Sequence, residues 1–219
     1  MIDKIKQILK KYGAWIIVFI SILIVLKIAL EIFEDEIMYI DTWFYETFIQ
    51  TIRNTTLTKI MKLITSFGNS RMIILLTFFS FFICSNKRKS ICIGLNAFIT
   101  TIINLTLKNI VQRKRPSEIF LIIESGFSFP SGHAMISMAF YGFIIYLISQ
   151  KVKDKTKRNI IIIPLVILIL LIGFSRIYLG VHYFSDVVAG FLTSLAYLII
   201  FIKVSKKYIQ GGIKKNEKK

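Results

Sequence analysis

Between two long apolar runs the chain reads Ser175-Arg176-Ile177-Tyr178-Leu179-Gly180-Val181-His182-Tyr183-Phe184-Ser185-Asp186. The flanking runs, residues 160–174 and about 182–202, read as membrane spans, and a connector between spans needs only turn residues. This one carries an arginine, a histidine and an aspartate, with a glycine shortly before the histidine. His182 and Asp186 are four apart, so on a helix they share one face and their side chains meet. An aspartate that accepts one ring N–H fixes the tautomer and leaves the other nitrogen free to attack or to take a proton. Arg176 adds a fork of N–H donors suited to a phosphate or carboxylate. The plainer reading is a juxtamembrane loop with a chance His–Asp pair, and the rest of the chain weighs against it.

The 219 residues are 55% hydrophobic, with a mean hydropathy of +0.67. Several apolar runs of about 18 residues or more exclude an ordinary soluble domain. The expectation is an all-α, polytopic membrane protein with six transmembrane helices, at about 13–30, 59–84, 90–107, 131–149, 160–174 and 182–202. Residues 1–12 read as a basic amphipathic lead on the inner surface, 13–202 as one membrane domain, and 203–219 as a basic cytoplasmic tail that frays into solvent. Residues 31–59 are acidic at Glu31, Glu34, Asp35, Glu36 and Asp41, then aromatic at Trp43, Phe44, Tyr45 and Phe48. That is the pattern of an external segment lying along the interface, either a ramp for lipid entry or a solvated connector. Gly68-Asn69-Ser70-Arg71 interrupts the second span and reads as a kink near the outer surface. Cys84 and Cys92 lie on apolar segments and read as small core residues rather than a disulfide or a metal site.

A net charge of +17 could point to nucleic acid, but no soluble module remains to bind it. In a membrane protein, lysines mark the cytoplasmic loops and their anionic lipid surface. Six spans put both termini on one side. Nineteen basic residues fall there, at the N-terminus, at 87–89, at 151–158 and from Lys203 onward. That side is expected to be cytoplasmic. The loop after the third span breaks the rule by placing Lys108, Arg113, Lys114 and Arg115 outside, and binding an anion is the simplest reason.

Three polar segments fall on the external side, each at a span end. They are Lys108 with Arg115-Pro116 seven residues on, Phe129-Pro130-Ser131-Gly132-His133 opening the fourth span, and the opening stretch leading into the sixth. The chain's two histidines, His133 and His182, both lie in these segments. Lys108, Arg115 and Arg176 supply three cations able to surround a dianionic phosphoryl group. Pro130 suits a helix start, so the N–H groups of Ser131 and Gly132 form a phosphate cradle at the positive end of the helix dipole. His182, oriented by Asp186, is placed to attack phosphorus, and His133 to give a proton to the leaving oxygen. These parts match phosphoryl transfer, where catalysis is mostly positioning and charge stabilisation. A metal is not expected, because the cations would repel it and no thiol or carboxylate cluster stands by.

Taken together, Lys108-x6-Arg115-Pro116, Pro130-Ser131-Gly132-His133 and Ser175-Arg176-x5-His182-x3-Asp186 resemble the three-part signature of the type 2 phosphatidic acid phosphatase family. That family also includes the vanadium haloperoxidases, which are soluble and larger. All three parts stand in family order across residues 108–186, and the chain before Lys108 carries no signature. The resemblance implies a six-span catalytic core with His182 as a nucleophile forming a phosphohistidine, Asp186 as its partner and His133 as general acid. It implies phosphate binding by Lys108, Arg115, Ser131, Gly132 and Arg176, with no cofactor and no metal. It also implies a lipid substrate in the bilayer. Bacterial members remove phosphate from phosphatidylglycerophosphate or undecaprenyl pyrophosphate, and external placement favours the second, with phosphatidic acid left open. The competing class is an anion-binding or transport protein. A carrier usually holds its charges near the bilayer midplane and has repeated halves; here the charges sit at the surface and no repeat is visible.

Overall fold

The structure is a computed structural model that describes residues 2–34, 37–117 and 119–216, with side chains described for 11–34, 37–117 and 119–210. Asp35, Glu36 and, in the expected N-terminal lead, the side chains of residues 1–10 lie outside the described residues. Among the described residues every regular element is helical. They are α1 (Ile2–Glu34), α2 (Tyr39–Phe44), a π-helical turn (Tyr45–Ile49), α3 (Gln50–Ile52), α4 (Thr55–Ser66), α5 (Ser70–Ile83), α6 (Lys87–Val111), α7 (Gly132–Lys151), α8 (Lys155–Tyr178) and α9 (Phe184–Asn216).

Five of these helices carry stretches long and apolar enough to cross a membrane, and α4 with α5, bent by 48° at their break, bring the number to six when the pair is counted as one broken span. The break falls at Phe67-Gly68-Asn69, as the interruption in the sequence predicts. Large apolar side chains such as Phe19, Leu63, Phe82, Phe98 and Leu170 lie exposed along the helices, where lipid replaces water as their solvent. α7 lies at the centre, against α6, α8 and α9, while α1 packs on α9 and α4 on α8. Its core is made by Phe140, Tyr141 and Phe143 with Ile172 and Leu198.

Several helix boundaries differ from the expected spans, α8 for instance covering Lys155–Tyr178 instead of 160–174. α1 passes Gly13 without a break, and α9 runs on to Asn216 instead of ending near Ile202. The extension has a packing cause: Ser205 and Ile209 remain buried, four apart on one face, and Ile209 joins the main core. At this end Lys203 lies over the Trp15 ring and Arg88 over that of Tyr208. Lys89, Lys151 and Lys206 line a cavity of about 210 Å³ there. The basic turns therefore gather at one end of the bundle, and the three polar motifs at the other.

Candidate active site

The site forms where α6 ends, α7 begins and α8 turns into α9. The α8–α9 turn is sharp because Gly180 adopts φ +71°, and a side chain there would collide with the Ile119 carbonyl oxygen. His182 lies in this turn, just before α9, so it does not share a helix with Asp186 as the four-residue spacing suggests. Asp186 sits in the first turn of α9 and reaches back to accept the Tyr183 N–H at 2.9 Å, as the acidic partner of a capping box does. The same oxygen, Oδ2, lies 3.4 Å from His182 Nδ1 and accepts from Ser128 Oγ. The expected pair is thus formed by a turn and a cap.

On the other side of the ring, Arg115 Nη1 lies 3.1 Å from His182 Nε2. A guanidinium only donates, so Nε2 carries the lone pair and Nδ1 the proton facing Asp186. Arg115 is held by the carbonyls of Val181 (2.8 Å), Gly126 (2.9 Å) and Ser125 (3.1 Å). Burial lowers the pKa of His182 to about 3; Asp186 opposes this, and Arg115 and Arg176 add to it. The imidazole is therefore neutral near pH 7.

Lys108 Nζ donates to the carbonyls of Phe127 and Ser128, the latter at 3.2 Å. Arg176 is buried, with Nη1 on Thr65 Oγ1 at 2.7 Å and Nη2 on Glu124 Oε1 at 2.5 Å. Its Nε and the Ser131 Oγ are buried without a hydrogen-bond partner. The Ser131 N–H donates to the Asp186 carbonyl at 3.0 Å, so the hydroxyl, not the N–H, is what Ser131 offers an anion. Gly132 has a packing reason beside any phosphate role, since a Cβ there would lie 2.9 Å from Asn104 Oδ1. His133 Nε2 lies 2.7 Å from Asn69 Oδ1, at the break between α4 and α5.

All eight residues singled out from the sequence lie at this end. The motifs do not name the residues that hold them. Arg113 is fully buried and bridges Asp41 (2.6 Å) and Asp186 (2.8 Å), with its guanidinium 4.0 Å from the centre of the Tyr183 ring. Burial would weaken Arg113, but Asp186 and Asp41 outweigh it and hold its pKa above the ordinary value. In the sequence Asp41 is one acidic residue among several in an interfacial segment, and Arg113 one cation of a loop. The signal for Arg113 was its place two residues before Arg115 in a loop that topology wanted free of positive charge.

The sequence pattern of the PAP2 superfamily matches residues 89–210. Phosphatidylglycerophosphatase B of Bacillus subtilis is 42% identical over 103 residues, covering 46% of this chain and 49% of that protein. The chain thus matches about half the length of that relative. In three dimensions the fold is similar to the crystal structure of a transmembrane PAP2 type phosphatidylglycerolphosphate phosphatase from Bacillus subtilis. That likeness has a TM-score of 0.75 at 27% identity and covers 87% of this chain and 96% of the other. Aquifex aeolicus LpxE is similar with a TM-score of 0.59 at 26% identity, over 71% of this chain and 90% of its own. With more than half of its length matched, and with an all-helical multi-pass fold of the same kind, the chain belongs to the PAP2 superfamily.

Proposed function

We propose that the chain is an integral-membrane lipid phosphatase that works through a phosphohistidine at His182. The observation that carries this reading is the neutral, buried His182, its Nδ1 facing Asp186 and its Nε2 facing Arg115. In the first step Nε2 bonds to phosphorus as the P–O bond to the lipid breaks. The ring becomes cationic, and Asp186 stabilises it. Arg115 turns from Nε2 to a phosphoryl oxygen, joined by Lys108, Arg176 Nε and the Ser131 hydroxyl, with Gly132 at the same helix start. His133, which takes up a second proton beside the bound phosphoryl dianion, gives its Nε2 proton to the departing oxygen and is left neutral, Asn69 Oδ1 accepting from Nε2–H until that oxygen replaces it. In the second step His133 takes a proton from water, water attacks phosphorus, and the P–N bond breaks to restore the lone pair. The cations of the chain supply the charge stabilisation that a metal gives elsewhere.

The membrane unit takes in 13–202, with 31–59 as its external interfacial segment, and is flanked by the basic segments 1–12 and 203–219, the latter beginning as the end of α9 that packs on the core through Ile209. The charge count supports a site on the extracytoplasmic face of a bacterial plasma membrane, with both termini cytoplasmic. Two substrates fit. The name of the Bacillus subtilis relative favours phosphatidylglycerophosphate. The external site favours undecaprenyl pyrophosphate, whose headgroup is left on that leaflet. Purified protein in detergent, with EDTA present, is expected to release phosphate from at least one of these or from phosphatidic acid. Activity lost on chelation and restored by zinc or magnesium overturns the reading.

A further inference from the structure

Asp41 belongs to α2, outside every motif, yet it is the far end of the charge network behind the nucleophile. Its side chain is fully buried and accepts from Arg113 Nη2 at 2.6 Å, from the Ser185 N–H at 2.8 Å and from Ser185 Oγ at 2.7 Å. Arg113 Nη1 donates to Asp186 Oδ1 at 2.8 Å. We propose that Asp41 is a positioning residue for His182, because by holding one amino group of Arg113 it keeps Asp186 from forming a two-pronged pair with that arginine. This rests on the phosphohistidine reading of His182.

The argument is geometric. A guanidinium facing one carboxylate prefers two parallel N–H···O bonds, which engage both oxygens. Here Arg113 Nη1 donates to Asp186 Oδ1 and to Ser185 Oγ, each at 2.8 Å, while Nη2 goes to Asp41 at 2.6 Å. Oδ2 is thereby left for His182 Nδ1, Ser128 Oγ and the Tyr183 N–H. Without the carboxylate of Asp41, Arg113 turns both prongs on Asp186 and draws Oδ2 away from the imidazole. The ring then loses the partner that fixes its tautomer and stabilises its positive charge as the P–N bond forms. The contacts of Asp41 are with Arg113 and Ser185, so it acts on the imidazole through Arg113 and Asp186.

The simpler role for Asp41 is to dock α2 onto α9. Arg53 separates the two. It ties the same interfacial segment to the Tyr178 carbonyl (2.7 Å) and the Ile119 carbonyl (2.9 Å) without touching Arg113 or Asp186.

The test is steady-state and single-turnover kinetics of Asp41→Asn, Arg53→Gln and His182→Ala, made as full chains in detergent, with thermal melts of each. The substrates are phosphatidylglycerophosphate, undecaprenyl pyrophosphate and phosphatidic acid in detergent micelles, each variant being compared with wild type on the one that wild type turns over fastest. Asp41→Asn is expected to lose about 10–100-fold in kcat, the scale typical of a group that orients a reacting side chain, with KM within about three-fold. Phosphoenzyme formation should slow by the same factor. Arg53→Gln should lower the melting temperature but keep kcat within about five-fold. Wild-type kcat in Asp41→Asn, a loss confined to KM, or an equal kcat loss in Arg53→Gln overturns the proposal. If Asp41→Asn does not fold, Asp41→Glu carries the test: it keeps the charge and must stay within about ten-fold of wild-type kcat, and a larger loss in folded protein overturns the role. An inert His182→Ala beside a fully active Asp41→Asn removes only the role of Asp41. A His182→Ala that still turns over removes the phosphohistidine reading and Asp41's role with it.

Discussion

At His182 burial and the Asp186 carboxylate pull in opposite directions, and burial, helped by Arg115 and Arg176, prevails: the pKa falls to about 3. A neutral imidazole is what a nucleophile needs, so His182→Ala is expected to abolish phosphate release. His133→Ala should cost roughly 10²–10⁴-fold, the scale of a general acid. Turnover above a few per cent in the His182 variant counts against the assigned chemistry. The same low pKa fixes a pH dependence of stability. Between pH 6.5 and about 3 the unfolded chain binds a proton at His182 that the folded protein does not. His182 therefore contributes its full stability above pH 6.5 and progressively less as the pH falls, by at most about 1.4 kcal/mol per pH unit. Thermal melts in detergent between pH 7.5 and 5 should show a shallower decline for His182→Gln than for wild type; parallel slopes would contradict the burial argument. The eight motif residues were legible because each lies in a short string with fixed spacing. Asp41, Thr65 and Ser128 were not, because a buried polar side chain is identified by its partner. Those partners lie far away in sequence: Ser185 is 144 residues from Asp41, Arg176 111 from Thr65, and Asp186 58 from Ser128.

Among the elements, the bent second span has the clearest functional consequence. Gly68 and Asn69 end α4, and a Cβ at position 68 would lie 2.8 Å from the His133 ring, so the break lets the backbone come close to the histidine. The interruption was visible in the sequence as a glycine and an asparagine inside an apolar run. Its purpose was not, since nothing in that run names His133. The contact at 2.7 Å leads to a defined expectation. Asn69→Leu removes the acceptor that orients the ring and should lower kcat by about 10–100-fold with KM little changed. If Asn69 acts only through His133, the double variant Asn69→Leu/His133→Ala should be no slower than His133→Ala alone. Additive losses would assign Asn69 a separate contact with substrate or backbone. The turn before α9 is the counterpart case. The four-residue spacing of His182 and Asp186 suggested one helix face, but the positive φ at Gly180 ends α8 and leaves His182 in the turn.

For the whole molecule, apolar run length alone carried the six-span plan, because lipid forces backbone groups into long helices and leaves their outer faces apolar. Which end faces the cytoplasm is a matter of charge, and it decides which lipids reach His182. Lys89, Lys151, Lys203 and Lys206 lie at the end away from the motifs, and under the rule for lysine-rich loops that end is expected to be the cytoplasmic one. Ser117 and Lys153 are exposed at opposite ends, on the loop before α7 and on the turn before α8. They are better labelling sites than Glu124, which pairs with Arg176, or Asp154, which caps α8 by accepting the Lys157 N–H. With Cys84 and Cys92 first changed to Ser or Ala, a cysteine at Ser117 should react with a membrane-impermeant thiol reagent in intact cells. One at Lys153 should react only after permeabilisation. The reverse pattern would place His182 on the cytoplasmic face. A pyrophosphate carrier left on the outer leaflet could not reach it there, and the substrate would then have to be a lipid phosphate of the inner leaflet.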